Sequence, residues 1–356
     1  MIRRIRPDQV RLGMYVTRMG GSFFGHPFWR KQFALTSQTQ VNALRSSAIP
    51  YVEIDESRGV TFEDHEKALA ALREGWAGPG HAMPQLEPVP NGAAAKPKPA
   101  PLQPLSPEQR RQRAERARAV RSVSRGKAFM RQMFDTTRLG EAVPVGEALE
   151  LVEEIDTLFQ HGEYALLEVV RMKSADEYTY LHSVAVCALM LRFARELDMP
   201  DAETRESGLA GLLHDIGKMR IPPAVLHKRG ALTDAEYQQV RTHAQEGFEM
   251  LKDVPVVPEA AIQVVRLHHE RIDGTGYPMG LAGDDIPLVA RMGAICDVYD
   301  ALTSERAYKS AWSPAAALEL MRDAPGHFDA HLLGVFAQGL GMETEPQNSL
   351  GTATAC

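Results

Sequence analysis

The stretch LLHDIGK, Leu212 to Lys218, sets a histidine beside an aspartate, behind an apolar run and just before Gly217. Taken by itself, such a pair is either a polar accident in a core or part of a metal site. The rest of the chain decides between them.

From about residue 140 the sequence reads as helices. PVGEALELVEEIDTLF carries Leu149, Val152, Ile155 and Leu158 at spacings of three, which predicts one buried face. SADEYTYLHSVAVCALMLRFAREL opens on Ser174 and Glu177, a capping-box pair, and stops before Pro200. LTDAEYQQVRTHAQEGFEML repeats the device with Thr233 and Glu236, and its Tyr237, Val240, Ala244, Phe248 and Leu251 predict a single stripe. PEAAIQVVRLHHE and IPLVARMGAICDVYDALTS add two further helical segments. The expectation is an all-α domain.

Five of the twelve histidines lie beside those apolar stripes: His182, His214, His243, His268 and His269. Their positions turn them toward the bundle interior. A single inward histidine reads as a hydrogen-bonded core residue. Five of them converging with Asp215 and Asp297 read as a metal site, because imidazole and carboxylate from facing helices are how bundles hold metals. A set without thiolate suits Fe, Mn, Ni or Zn outside a structural zinc site. Seven candidate ligands exceed what one ion takes, so two ions sharing Asp215 are expected. Such a pair stabilises both oxygens of an in-line displacement at phosphorus. Lys218 would then neutralise a phosphate oxygen. Arg306 and Lys309 offer a second cationic clamp, or else are solvated surface residues.

Bulk composition narrows the function classes. The 356 residues allow two or three domains, and 44% of them are hydrophobic, enough for a sizeable core. A net charge of -6 argues against a nucleic-acid-coating protein. Three scattered cysteines, Cys187, Cys296 and Cys356, make no disulfide framework, and a reducing cytoplasm fits them. No signal peptide or membrane span is read. No Walker or dinucleotide-binding glycine loop occurs.

The N-terminal part differs. In residues 1–72, GMYVTRM and YVEID read as strands around a short helix in TSQTQVNALRSS, a small α+β unit. Residues 73–139 join a Pro- and Ala-rich linker to a basic helix opened by Ser106, Pro107 and Gln109. Between Arg110 and Arg138 that helix has ten Lys or Arg against two acids. It is either a solvated connector or a contact for an anionic surface. Residues 342–356 read as a disordered tail.

With these residues in hand, residues 140–341 resemble the HD-GYP family of the HD phosphohydrolase superfamily. The resemblance rests on DEYTYLHS (176–183), LLHDIGKMRIP (212–222), LHKRGALTDAE (226–236), His243, HHERIDGTGYPMGLAGDDIPLVAR (268–291) and CDVYDALTSERAYK (296–309). Residues 3–56, with GMYV, HPFWRKQF and YVEID, resemble a domain of unknown function often attached to such proteins. The resemblance implies a mainly α protein that hydrolyses cyclic di-GMP to pGpG, and slowly onward to GMP, using two divalent ions, iron or manganese. It assigns one ion to His182, His214, Asp215 and Asp297, and the other to Asp215, His243, His268 and His269. It gives Lys218 to the bridging solvent or scissile phosphate, and Arg306 and Lys309 to substrate phosphates. It gives Gly276, Tyr277 and Pro278 to the substrate pocket and to diguanylate cyclase partners; a homodimer is compatible with it. Tyr178 stands where members with a third metal carry Glu, so two ions are expected. Ala307 replaces a common Pro, and Cys296 a common Ala, next to Asp297; the cysteine reads as a buried, inert thiol or as an oxidation-sensitive one. Two rival readings share the same residues: an adaptor that binds cyclic di-GMP or a cyclase without turnover, and a hydrolase of another nucleotide such as cyclic GMP-AMP.

Overall fold

The computed structural model describes residues 2–19, 33–35, 38–45, 49–59, 106–160, 178–226, 228, 232–304 and 311–342. The linker, Arg306, Lys309, the Ser174–Glu177 pair, most of HPFWRKQF, the Tyr178 side chain and the tail from 343 lie outside these residues.

The N-terminal unit is an antiparallel sheet of β1 (Ile2–Ile5), β2 (Tyr15–Met19), β3 (Phe33–Ala34) and β4 (Val52–Asp55), in the order β1-β4-β2-β3. Helix α1 (Gln38–Arg45) contributes the buried Val41 and Leu44 to the N-terminal core. In β4, Val52 and Ile54 face inward at the strand period of two. In β2 the inward residues are Val16 and Met19, three apart. A bulge between Val16 and Arg18 absorbs the extra residue and returns Met19 to the core face.

Helix α2 (Pro107–Arg138) starts as the sequence predicts. Ser106 Oγ accepts from the Gln109 amide at 3.1 Å, and the Gln109 side chain accepts from the Ser106 amide at 2.9 Å. Its first buried residue is Ala119. From there Ser122, Val123, Gly126, Met130, Met133, Phe134 and Thr137 follow at helical spacing and seat it on the bundle. Helix α3 (Val145–Gln160) corrects the expected stripe. Leu149 is exposed, and the buried face is Val145, Ala148, Leu151, Val152, Ile155 and Phe159. A strict spacing of three drifts around a helix of 3.6 residues per turn; the mixed three-and-four spacing does not.

Helices α4 (Tyr178–Glu196) and α5 (Asp201–Leu213) form the centre of the bundle. They pack closely because glycines face the contact. A Cβ at Gly208 would lie 2.7 Å from Leu191 Cγ, and one at Gly211 would lie 2.9 Å from the Val186 carbonyl oxygen. After α5 the chain turns through His214 and Asp215 into a 3₁₀ turn, Ile216–Arg220, and then α6 (Pro223–Leu226).

The segment read as one helix is two, α7 (Asp234–Arg241) and α8 (His243–Leu251), divided at Thr242. The Thr242 hydroxyl donates to the Gln239 carbonyl at 2.8 Å, and His243 Nδ1 lies 2.7 Å from the Val240 carbonyl oxygen. Side chains that draw on helix carbonyls in this way compete with the regular ladder. Helix α9 (Glu259–Leu267), α10 (Leu288–Thr303), α11 (Pro314–Arg322) and α12 (Ala330–Gly339) complete the bundle.

The two halves meet at α11. Glu319, buried there, accepts from the Leu12 amide at 2.9 Å and lies 3.3 Å from Arg45 Nη2. Replacing Glu319 with Ala leaves the buried Leu12 amide without an acceptor, which costs about 1–3 kcal/mol. Glu319→Gln keeps an acceptor and should cost less. Urea denaturation of the full chain should rank wild type above Glu319→Gln above Glu319→Ala; equal midpoints would show that the contact carries no stability.

Candidate metal centre

The HD stretch works because of the residue two places after the aspartate. A Cβ at Gly217 would overlap the His243 carbonyl oxygen. Only glycine lets the 3₁₀ turn lie against the start of α8. That contact brings His214 and Asp215, at the end of α5, against His243, at the start of α8. His182 comes from α4, His268 and His269 from the end of α9, and Asp297 from α10.

All seven side chains are buried. Asp215 faces two ways. Its Oδ2 lies 3.2 Å from His214 Nε2 and 3.9 Å from His182 Nε2. Its Oδ1 lies 3.4 Å from His243 Nε2 and 4.0 Å from His268 Nε2. Asp297 Oδ1 is 2.9 Å from His182 Nε2 and 3.9 Å from His214 Nε2. Two sets of ligand atoms therefore lie within 4.8 Å of one another: His182, His214 and Asp215, and His243, His268 and His269. Each set can hold an ion.

The imidazoles are aimed by their other nitrogens. Nδ1 of His214, His243 and His268 meets the carbonyl oxygens of Gly211, Val240 and Val264 at 2.8, 2.7 and 2.8 Å. A proton on Nδ1 turns the Nε2 lone pair inward, the tautomer that metal ligation needs. Nε2 of His243 and His268 then face each other at 3.4 Å. Two lone pairs at that distance require a proton or a cation between them. His214 Nε2, Asp215 Oδ1 and His269 Nε2 are buried without any hydrogen-bond partner. Buried polar atoms left in that state are costly, so this donor set fits divalent metal ions.

The charge states agree. Burial holds His243 neutral down to about pH 4 and His268 down to about pH 3, and pushes His269 well below the usual imidazole range. Burial also disfavours the Asp215 carboxylate, but His214 and Lys218 outweigh it and keep Asp215 ionised far below the usual range. Asp297 is likewise lowered: burial opposes its charge, and the His182 hydrogen bond overcomes that. His214 runs the other way. Burial disfavours its cation, yet Asp215 raises its pKa. Lys218, itself buried, places Nζ 2.5 Å from Asp215 Oδ2 and so serves the carboxylate directly. Cys296 and Cys187 are buried free thiols whose pKa burial raises, which makes them inert.

The motif loop is held beside this cluster. Glu270 accepts from the amides of Met279, Gly280 and Leu281 at 2.6, 3.1 and 3.0 Å. A Cβ at Gly276 would come within 2.5 Å of the Arg271 amide and Glu270 Cα, so this position admits only glycine. The Tyr277 ring stacks on His269 with centroids 4.7 Å apart, and the Tyr277–Pro278 peptide is cis. Sequence reading passed over Glu270 and also Asp300, whose Oδ2 is 2.6 Å from His182 Nδ1. Asp300 was findable: it lies three residues after Asp297, on the same face of α10.

Two outcomes follow from this geometry. Asp300 orients His182 as an outer carboxylate, so Asp300→Ala should weaken metal affinity roughly 10- to 100-fold, measured by competition with a chelating dye. In the metal-free protein, unfolded imidazoles take protons below about pH 6.5 while His243, His268 and His269 resist them. The unfolded chain then binds more protons, and stability is lost as pH falls from about 6.5 toward 3. His214 opposes this, since a raised pKa gives stability that is present at low pH and lost as pH rises through it. Three groups outweigh one, so calorimetry should show Tm falling from pH 7 to pH 5, with a shallower slope in His268→Gln. A Tm that rises on acidification would contradict the assignment.

The sequence comparisons agree with this geometry. A family model described as an HD domain matches residues 166–332, and one for a domain of unknown function, DUF3391, matches residues 2–148. The latter match extends through α2 into α3. The chain is 45% identical to the cyclic di-GMP phosphodiesterase PA4108 of Pseudomonas aeruginosa, over 96% of this chain and 77% of that protein. It is 39% identical to the cyclic di-GMP phosphodiesterase response regulator RpfG of Xanthomonas campestris, over 46% of this chain and 43% of that one. It is 33% identical to the 3'3'-cGAMP-specific phosphodiesterase 2 of Vibrio cholerae, over 52% of this chain and 36% of that one. Among solved structures, Bd1817, a HDG"Y"P protein of Bdellovibrio bacteriovorus, superposes with a TM-score of 0.53 at 16% identity, covering 96% of this chain and 100% of that chain, which shows a shared fold. With its paired imidazole sets around one aspartate and its DGTGYP loop, the chain belongs to the HD-domain family, in the HD-GYP branch, with a DUF3391 unit at its N-terminal side.

Proposed function

We propose that the chain is a metal-dependent phosphodiesterase that opens cyclic di-GMP to linear pGpG, with slower cleavage onward to GMP. The observation that carries this reading is the two-sided Asp215, with one oxygen toward His182 and His214 and the other toward His243 and His268. His182, His214, Asp215 and Asp297 would hold one divalent ion. Asp215, His243, His268 and His269 would hold the other. Iron or manganese suits an imidazole–carboxylate set without thiolate. When bound, such ions would supply Lewis-acid charge to a phosphodiester and acidify a water.

The chain's own residues do the rest. Lys218 fixes Asp215 and adds a positive charge where the scissile phosphate arrives. Arg306 and Lys309 bind substrate phosphates. Gly276, Tyr277 and Pro278 form a fixed wall of the pocket, since the Glu270 clamp leaves their loop little freedom. The same loop is the contact for diguanylate cyclase domains, and the protein works in the cytoplasm. No helix among the described residues is long and apolar enough to cross a membrane.

The names of the similar proteins support cyclic di-GMP first, and 3'3'-cGAMP as the second substrate to test. The test combines metal analysis with product chromatography on one iron-reconstituted sample of the full chain. Wild type should hold about two ions per chain and yield pGpG. Asp215→Ala should lose at least one ion and at least 100-fold in rate, beyond what loss of an outer-shell partner costs. Wild type that holds no ion, or Asp215→Ala that turns over normally, would refute the reading.

A further inference from the structure

Arg241 ends α7, two residues before His243. Its guanidinium carbon lies over the Tyr277 ring, 4.2 Å from the centroid, and 5.8 Å from the Tyr237 centroid. Tyr277 stacks on His269 with an interplanar angle of 22°. Two groups so close to one ring cannot share a face. His269, Tyr277 and Arg241 therefore form a three-layer stack with the imidazole at the metal end and the guanidinium at the outer end.

An arginine carries five N–H donors in one rigid plane. Among the described residues, the Arg241 guanidinium makes no hydrogen bond and no ion pair with the protein. Its nitrogens are also absent from the buried polar atoms that lack partners, a group that includes Arg11, Arg192, Arg271 and Arg291. Arg241 is half-buried, so its donors open to solvent while its guanidinium carbon is seated over Tyr277. Tyr277 in turn cannot drift, because the Glu270 clamp fixes its loop. The result is a donor fork oriented before any ligand arrives. Pre-orientation of this kind lowers the entropy cost of binding.

Position decides what the fork meets. A scissile phosphate must reach the imidazole–carboxylate cluster. Arg241 stands two stacking layers out from His269, on the far side of Tyr277 from that cluster. A purine attached through its ribose to that phosphate extends outward to such a distance. A planar bidentate donor matches the O6 and N7 acceptors of guanine, whereas adenine presents a donor at N6. We infer that Arg241 is a specificity residue that reads the acceptor edge of one guanine of the cyclic dinucleotide. This inference rests on the proposed function and deepens it.

The experiment compares kcat and KM for cyclic di-GMP, 3'3'-cGAMP and cyclic di-AMP on the iron-loaded full chain. The proteins are wild type, Arg241→Gln and Arg241→Met. Glutamine pairs with adenine N6 and N7, and methionine keeps a stack on Tyr277 without donors. Arg241→Gln should lose roughly 10-fold or more of the wild-type preference for cyclic di-GMP over cyclic di-AMP, mostly through KM, and move toward adenine. Arg241→Met should lose the preference without gaining adenine. Thermal unfolding of each variant checks that the fold is kept. An equal loss for all three substrates would mean a phosphate contact or a structural prop, and would overturn the inference. Unchanged discrimination would overturn it too, with the proposed function still standing. Wild type without turnover on any of the three would instead remove the proposed function, and this inference with it.

Discussion

Asp215 is a carboxylate sealed from water, 2% exposed, with one oxygen that accepts no hydrogen bond. A charge in that position is stable only when positive groups stand on both of its sides. Lys218 supplies one, from the same turn of chain. The imidazoles supply partial compensation, but His243 and His268 meet at 3.4 Å with lone pairs facing, and His269 Nε2 has no partner. The cluster is balanced for cations it must receive. The local architecture around it follows from that demand. Gly217 lets the 3₁₀ turn touch α8, backbone carbonyls fix three imidazoles through Nδ1, and Gly208 and Gly211 close α5 onto α4.

How much of this the sequence discloses depends on the range of the interaction. Helix starts are local, and the capping pairs at Ser106 and Thr233 appear as read. The five inward histidines were legible because each sits beside its helix's apolar stripe, and all five are buried. The α3 stripe was misread because a spacing of three alone does not say which of two adjacent faces is covered, and Leu149 proved to face solvent. The break at Thr242 was hidden for another reason. It arises from hydroxyl and imidazole contacts to carbonyls three residues back, which periodicity does not register. Asp300 and Glu270 were overlooked because each acts on another group of the site.

Glu270 shows how a short motif encodes a shape. It follows His269 directly, so its carboxylate is anchored wherever the metal-facing histidine is anchored. Three consecutive amides, from Met279 to Leu281, then converge on it. The chain between them has to double back tightly. Gly276 passes against Arg271 and Glu270 at a distance no side chain allows, and Gly274 adopts a φ of 77° that suits glycine. The spacing from HHE to GYP is thus the length of a loop closed by one carboxylate. Its product is a tyrosine ring held flat against a histidine of the cluster.

Helix α2 has a comparable place at a larger scale. No side chain between Pro107 and Arg118 is buried, so the first third of the helix stands free of the bundle core. Its last third does not. Phe134 packs on Tyr180, with centroids 5.7 Å apart and His182 two residues further along α4. Arg138 reaches Met219, the neighbour of Lys218, at 4.0 Å from Nη2 to Sδ. The helix therefore bears on two segments that supply the cluster, α4 and the 3₁₀ turn. A separate contact, Glu319 with Leu12 and Arg45, ties the loop before β2 and the end of α1 to α11. The N-terminal unit thus meets the bundle at α11, and α2 meets it at α4 and the 3₁₀ turn.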